Sequence, residues 1–350
     1  MSKISLTKRI VSLSFSSLSI IGCLPNIVSC ANDIDNQYDV KINPAGNTKC
    51  SITINNFGDN QIDLQYSFDN RNWFNYPNQQ EKDFSIDIEP AHKVYLRGYN
   101  PGGWSHSEKQ YTTISITGEA EISGYIQSLL YADFRDDILY PSMCDYCFYR
   151  LFYEADIVNI STSFLSFFNE LSVGCYKSMF EGDKKLISGP NLNANKLSQD
   201  CYCQMFKDCI RLTYPPNLPA DELKMGCYSH MFYNCQSLQN TRQKILPAIK
   251  TLPALKLASF CYEMMFGNCI TLIEPPIIKA TKLADRSCHR MFYGCSLLEI
   301  CDNAKGVKFF NCPDIGDTLL PTNGMFSKTN SSIASAESNK PYYYVRNLVD

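Results

Sequence analysis

Nine residues, CYSHMFYNC from Cys227 to Cys235, hold two cysteines, a histidine and three aromatic rings. Thiolate, imidazole and phenol together suit a metal, a redox pair, a nucleophile or a disulfide. A second cluster is Cys144-Asp145-Tyr146-Cys147, a CxxC. The chain has 17 cysteines in 350 residues, a load that needs its own explanation.

Each chemistry makes demands that the spacing can be held against. A structural zinc ion wants four ligands at short spacing. If the segment is helical, Cys227 and Cys235 stand about 12 Å apart along the axis, too far for one ion or for a disulfide, which needs Cα atoms within about 7 Å. Cys144-x-x-Cys147 lacks the strand-then-helix setting of a thioredoxin-type pair. The four histidines, His92, His106, His230 and His289, show no fixed relation to a cysteine or serine. The reading is therefore no metal, no cofactor and no catalytic residue: a non-enzyme, with a hydrolase as the remote alternative. Packing explains the repeat cysteines best, because cysteine is a small hydrophobe that buries readily. Cys30, Cys50, Cys144, Cys301 and Cys312 fall outside the repeat positions or at its edge and are the candidates for bridges.

Aligning the chain on its Met-Phe steps exposes an internal repeat. The anchors are Leu151-Phe152, Met179-Phe180, Met205-Phe206, Met231-Phe232, Met265-Phe266 and Met291-Phe292, mostly 26 residues apart, with Met325-Phe326 as a degenerate last one. CYCQMFKDC, CYSHMFYNC and CYEMMFGNC are three copies of one pattern. A period of this size predicts stacked units sharing a core. The spacing of Leu223, Cys227, Met231 and Phe232 predicts a short helix in each unit. The proline pairs at 215–216 and 275–276 predict extended backbone after it. His230 is replaced by Gln204, Met264 and Arg290 in other copies, which marks a solvent-facing slot. The pattern has exceptions: Ser287 and Cys288 stand where Cys and Tyr are usual, and Ala155 and Asp183 replace the second cysteine.

From about Asp39 to Ile126 the periodicity is two, as in CSITINNF over Cys50–Phe57, with turn residues about every ten positions. That predicts a small all-β sandwich-like domain over 31–130. The α/β solenoid is expected over 140–330 and a C-terminal tail over 331–350. At the N-terminus Lys3, Lys8 and Arg9 precede an apolar run to Ile21, which reads as a signal peptide over 1–22. Ile20-Ile21-Gly22-Cys23 resembles a lipoprotein cleavage box with Cys23 as the lipidation candidate. Removing 1–22 takes Lys+Arg from 32 to 29 against 35 acids, so the remaining chain is net acidic. That argues against nucleic acid as a partner.

The repeat CYxxMFxxCxxLxxxPxLPAxxL, carried by Cys201, Tyr202, Met205, Phe206, Cys209, Leu212, Pro215, Leu218, Pro219 and Ala220, resembles those of bacterial cell-surface leucine-rich repeat proteins of the surface-antigen type. Tyr66-Ser67 with Trp73, Lys93–Gly98 and Gly124–Tyr131 are similar to the domain that precedes such repeats. The resemblance implies a leucine-rich-repeat-like α/β solenoid and a secreted or surface-exposed protein. It implies adhesion through an extended repeat face, with a protein or glycan on a cell surface as partner. Membrane contact would come only through a lipid anchor. The binding candidates are the variable polar residues after the second cysteine, namely Arg211, Tyr214, Gln236, Gln239, Thr271 and Glu274, with the insertion 240–250 beside them. The alternative is a carbohydrate-binding module on a repeat stalk, using Trp73 and Trp104 as surface rings.

Overall fold

The computed structural model describes residues 27–28, 38–77, 84–135, 143–238, 249, 251–273, 275–298, 324–325 and 327–329. The signal peptide, Cys23, the tail 331–350 and nearly all of the insertion 240–250 lie outside them.

The segments of period two become strands. In chain order these are β1 (Ile27–Val28), β2 (Val40–Pro44), β3 (Cys50–Phe57), β4 (Gln65–Ser67), β5 (Trp73–Asn75), β6 (Ile86–Ile88), β7 (Val94–Arg97), β8 (Tyr111–Thr117), β9 (Ala120–Ser123), β10 (Ile157–Ile160), β11 (Thr251–Leu252) and β12 (Ile277–Ile278). They form two open sheets and a minimal pair. The larger sheet runs β1-β5-β4-β7-β2-β9-β10, and the smaller runs β6-β3-β8. Within these two sheets all neighbours are antiparallel except β9 and β10, so the larger sheet is mixed. Alternation places Val40, Ile42, Ile52, Ile86, Ile88, Val94, Leu96, Ile114, Ile116 and Ile122 in one core. The β9–β10 pair and the bonds Ile114 N–H to Leu151 O and Ala120 N–H to Asp156 O tie the sheets to the second half of the chain.

The second half corrects the expected fold. Among the described residues there is no α-helix; the one helical element is a single 3-10 turn, Ile126–Leu129. The leucine-rich-repeat resemblance and the α/β solenoid it implied do not hold, because no helix alternates with a strand. The segments read as helical are chains of overlapping turns instead. In one of them Cys175, Lys177, Met179, Glu181 and Asp183 donate N–H to the carbonyl three residues back. The intervening Gly174, Tyr176, Ser178, Phe180 and Gly182 donate to Gln199, Cys201, Cys203, Met205 and Lys207 of the next segment. The same alternation recurs at 200–209, 226–235 and 260–269.

Two features of the sequence explain why. An α-helix needs a period of 3.6, so a strict period of four drifts by about 40° per step. CYxxMFxxC holds period four across nine residues, with adjacent rather than staggered apolar pairs. Every fourth residue is also left-handed: Gly174, Ser178 and Gly182; then Asp200, Gln204 and Asp208; then Gly226, His230 and Asn234. Glycine, asparagine and aspartate tolerate that conformation, and a helix excludes it.

Side chains at equal positions form columns. Phe148, Tyr176, Tyr202, Tyr228 and Tyr262 stack with centroids 5.8–6.1 Å apart. Phe152, Phe180, Phe206, Phe232, Phe266 and Phe292 stack at 5.5–5.7 Å. Those separations are in the favourable range for offset rings. Elsewhere the coils meet through single parallel bridges such as Glu170–Lys196–Glu222–Lys256–Lys282, with β11–β12 only two residues long. The expected extended repeat face needs a continuous strand-lined surface, and these single bridges do not make one.

Gln204 discriminates the two conformations directly. In a helix Ala exceeds Gly by about 1 kcal/mol; at a left-handed position the preference reverses by about 1 kcal/mol. Urea unfolding should therefore find Gln204→Gly more stable than Gln204→Ala. The opposite order would restore the helix.

Candidate functional site

The residues best equipped for chemistry in CYSHMFYNC serve the core. Cys227, Tyr228, Met231, Phe232 and Cys235 are all buried. Every described cysteine is a free thiol. Cys209, Cys235, Cys269 and Cys295 each donate S–H, at 2.9–3.1 Å, to the carbonyl of Phe180, Phe206, Phe232 and Phe266 in the preceding coil. The second cysteine is thus a small side chain with a weak donor, which alanine could not supply. Burial pushes the Cys227 thiol up to about 12 and raises Cys201, Cys235 and Cys261 well above the usual value. Such thiols are poor nucleophiles.

Asp183 occupies the same position as those cysteines. Its carboxylate accepts N–H bonds from Ile157 (3.1 Å), Lys185 (2.9 Å) and Leu186 (3.1 Å), joining β10 to the first turns of the stack. Burial outweighs those bonds and raises its pKa to about 7.

His230 sits beside Ser229, with Ser229 Oγ 2.8 Å from His230 Nδ1. Glu263 lies one coil on and His289 two, with His289 Nδ1 2.9 Å from Glu263 Oε1. One oxygen of the Glu263 carboxylate is engaged by His289, and burial lowers the His230 pKa against the opposing charge of Glu263. Among the described residues no group of three or more His, Cys, Asp or Glu is placed to hold a metal ion.

The binding candidates scatter. Arg211 and Tyr214 are exposed on one coil and Gln236 on the next. Thr271 is half-buried and donates its hydroxyl to the carbonyls of Gln236 and Leu238. Gln239 and Glu274 lie outside the described residues. The two tryptophans are not surface rings: Trp73 is 1% and Trp104 0% exposed. Trp104 donates its indole N–H to Thr112 O, and the Arg97 guanidinium covers Trp73 at 3.8 Å. The carbohydrate-binding alternative built on these rings is corrected accordingly.

A different cluster is available at the surface, where the sheets meet the first coil. Cross-strand pairing sets Phe57 of β3 opposite Tyr111 of β8, and the rings stack at 4.5 Å and 12°. Tyr149 meets Tyr111 edge-on at 5.1 Å, and Tyr146 meets Tyr149 at 6.1 Å. The Arg150 guanidinium lies 4.4 Å from the Tyr153 ring, 5.4 Å from Tyr149 and 5.9 Å from Tyr111. Phe57 is 43% exposed, and Tyr111, Tyr146, Arg150 and Tyr153 are partly so. The pair Lys177–Glu108, at 2.6 Å, is also engaged near Tyr146 and Tyr149. Sequence reasoning missed this site, because Phe57 and Tyr149 are 92 positions apart. The one signal in the sequence was the local density YCFYRLFY at 146–153.

Comparison with protein-family models, with curated proteins and with solved structures finds no match to this chain.

Asp183 yields a pH test. Its folded pKa of about 7 lies above the ordinary carboxylate value, so the folded state holds a proton that the unfolded chain releases. Stability from this group is full below about pH 4 and declines as pH rises to about 7, by at most about 1.4 kcal/mol per pH unit. Asp183→Asn should lose that slope between pH 5 and 7.5 in urea unfolding. An unchanged slope would mean that Asp183 stays ionised.

Proposed function

We propose that this chain is a non-enzymatic partner-binding protein that acts outside the cytoplasm and contacts its partner through Phe57, Tyr111, Arg150 and Tyr153, which the buried Tyr149 supports from beneath. The observation that carries the reading is an arginine held against three tyrosine rings beside an exposed, stacked phenylalanine. Tyrosine and arginine carry much of the energy in protein interfaces, because they bring large contact area at little entropic cost. Here the rings fix one another, so binding need not order them. The repeat residues support a non-catalytic role in another way: their thiols, rings and thioethers are engaged in packing.

The partner is a protein on a cell surface. The charged run Lys3, Lys8, Arg9 before an apolar stretch supports export, and Ile20-Ile21-Gly22-Cys23 supports a lipid anchor at Cys23. A chain with more acids than bases has no reason to seek nucleic acid.

The test is binding of the purified protein to panels of cell-surface proteins and of glycans, with Phe57→Ala and Tyr111→Ala beside the wild type. Each substitution should weaken capture of a protein ligand by tenfold or more, about 1.4 kcal/mol, while thermal melting shows the fold retained. Capture of glycans alone would replace the partner class. Capture indifferent to both substitutions, or turnover of a captured ligand, would overturn the reading.

A further inference from the structure

The Cys144-x-x-Cys147 pair is set apart from the other thiols. Cys147 heads the first-cysteine column that continues through Cys175, Cys201, Cys227 and Cys261, and it is fully buried. Cys144 lies three residues earlier, and it is the one described cysteine that is partly exposed. Tyr146, between them, is left-handed (φ 54°), which turns the chain and brings the two side chains together. The two thiols lie close enough to act on one another, and a Cβ at Gly103 would touch both Cys144 Sγ and Cys147 Cα. The loop that carries Trp104 packs against both and leaves Cys144 partly exposed. Trp104 N–H points at the Cys147 sulfur, and Ser105 N–H donates to Cys147 O at 2.8 Å. Gly103 (φ 110°) lies so close that a Cβ there would stand 2.2 Å from Cys144 Sγ. Only glycine admits that approach.

We propose that Cys144 and Cys147 form a reversible thiol–disulfide site, with Cys144 the attacking sulfur and Cys147 the resolving one. Two adjacent thiols with one at the surface and one beneath it meet the needs of that exchange. The neighbouring Cys147 side chain holds the Cys144 thiol below its usual range, and burial holds Cys147 well above its own. The co-reactant is a small-molecule or protein disulfide, R–S–S–R. Cys144 gives up its proton and attacks one sulfur, forming Cys144–S–S–R and releasing R–S⁻. Cys147 then gives up its proton and its sulfur attacks Cys144 Sγ, displacing the second R–S⁻. The two thiol protons end on two R–SH. Cys144 and Cys147 lose two electrons, and the incoming disulfide accepts them. The other described cysteines are buried without such a neighbour at the surface, so they stand aside. This inference does not depend on the partner-binding reading.

The tryptic segment 136–150 contains Cys144 and Cys147 and no other cysteine, so mass spectrometry reads the pair alone. The folded full chain is incubated with oxidised glutathione, alkylated and digested. The wild-type peptide is expected to lose two hydrogens and resist alkylation, and dithiothreitol should reverse both. Cys147→Ser should instead trap glutathione on Cys144, and Cys144→Ser should leave Cys147 unmodified. Serine at 147 is compatible with the fold, since buried Ser287 takes the same position in a later coil. Two results would overturn the proposal. One is a wild-type peptide 136–150 that stays fully reduced while urea-unfolded chain is oxidised. The other is glutathione on Cys147 in Cys144→Ser at the rate seen for Cys144.

Discussion

In the described runs of turns, alternate backbone N–H groups find no acceptor within their own coil. Residues such as Tyr176, Ser178 and Phe180 send their N–H to Cys201, Cys203 and Met205, and those coils do the same to the next. A buried N–H without a partner costs on the order of a hydrogen bond or more, so a coil is satisfied only when its neighbour is present in register. Register then dictates the rest. Equal positions lie over one another, so a tyrosine column, a phenylalanine column and two cysteine columns arise from one pairing rule. The tight turns demand left-handed residues at every fourth position and leave room only for small side chains beside the rings.

That rule also decides where chemistry is accessible. A thiol in a column faces a carbonyl, and a ring faces a ring, so neither meets solvent. Where the stack begins, the rule relaxes. The first coil, from Met143 to Asp156, has the β-sheets and the Trp104 loop on one side in place of another coil, through Ser105–Cys147, Ile114–Leu151 and Ala120–Asp156. The aromatic–arginine cluster and the Cys144–Cys147 pair both lie there. The cluster uses Tyr149 and Arg150, whose counterparts deeper in are the variable slots, and the pair uses Cys147, which heads a column.

The legible parts of the fold were those with a local cause. Alternation over Cys50–Phe57 reads as a strand because one face is buried, and β3 covers those residues. The 26-residue recurrence of Met-Phe identified which residues share an environment. The helix assignment failed at a definable place. Apolar residues at i, i+1, i+4 and i+5 fit one face of a short helix nearly as well as they fit a four-residue turn. The discriminating signal was present in Gly174, Gly182, Asp208, Gly226, Asn234 and Asn268, which occupy every fourth slot and favour left-handed backbone. The tryptophans fit a core-covering role, and only their use as surface rings is overturned. Turn-flanking rings can cover a core or face water, and Arg97 and Thr112, which settle it, come from other strands.

By itself the sequence determined the recurring Met-Phe pattern, the buried positions it marks, most strands of the first half, and the compatibility of cysteine with a packed column. Those properties depend on neighbours within about ten residues. Only the tertiary structure decided that the repeat closes as turns rather than helices, since that depends on where N–H groups find acceptors 25 to 35 residues away. Only it placed Phe57 on Tyr111 beside Arg150, and Gly103 over Cys144. Pairing between distant segments sets such juxtapositions, and no local pattern encodes them.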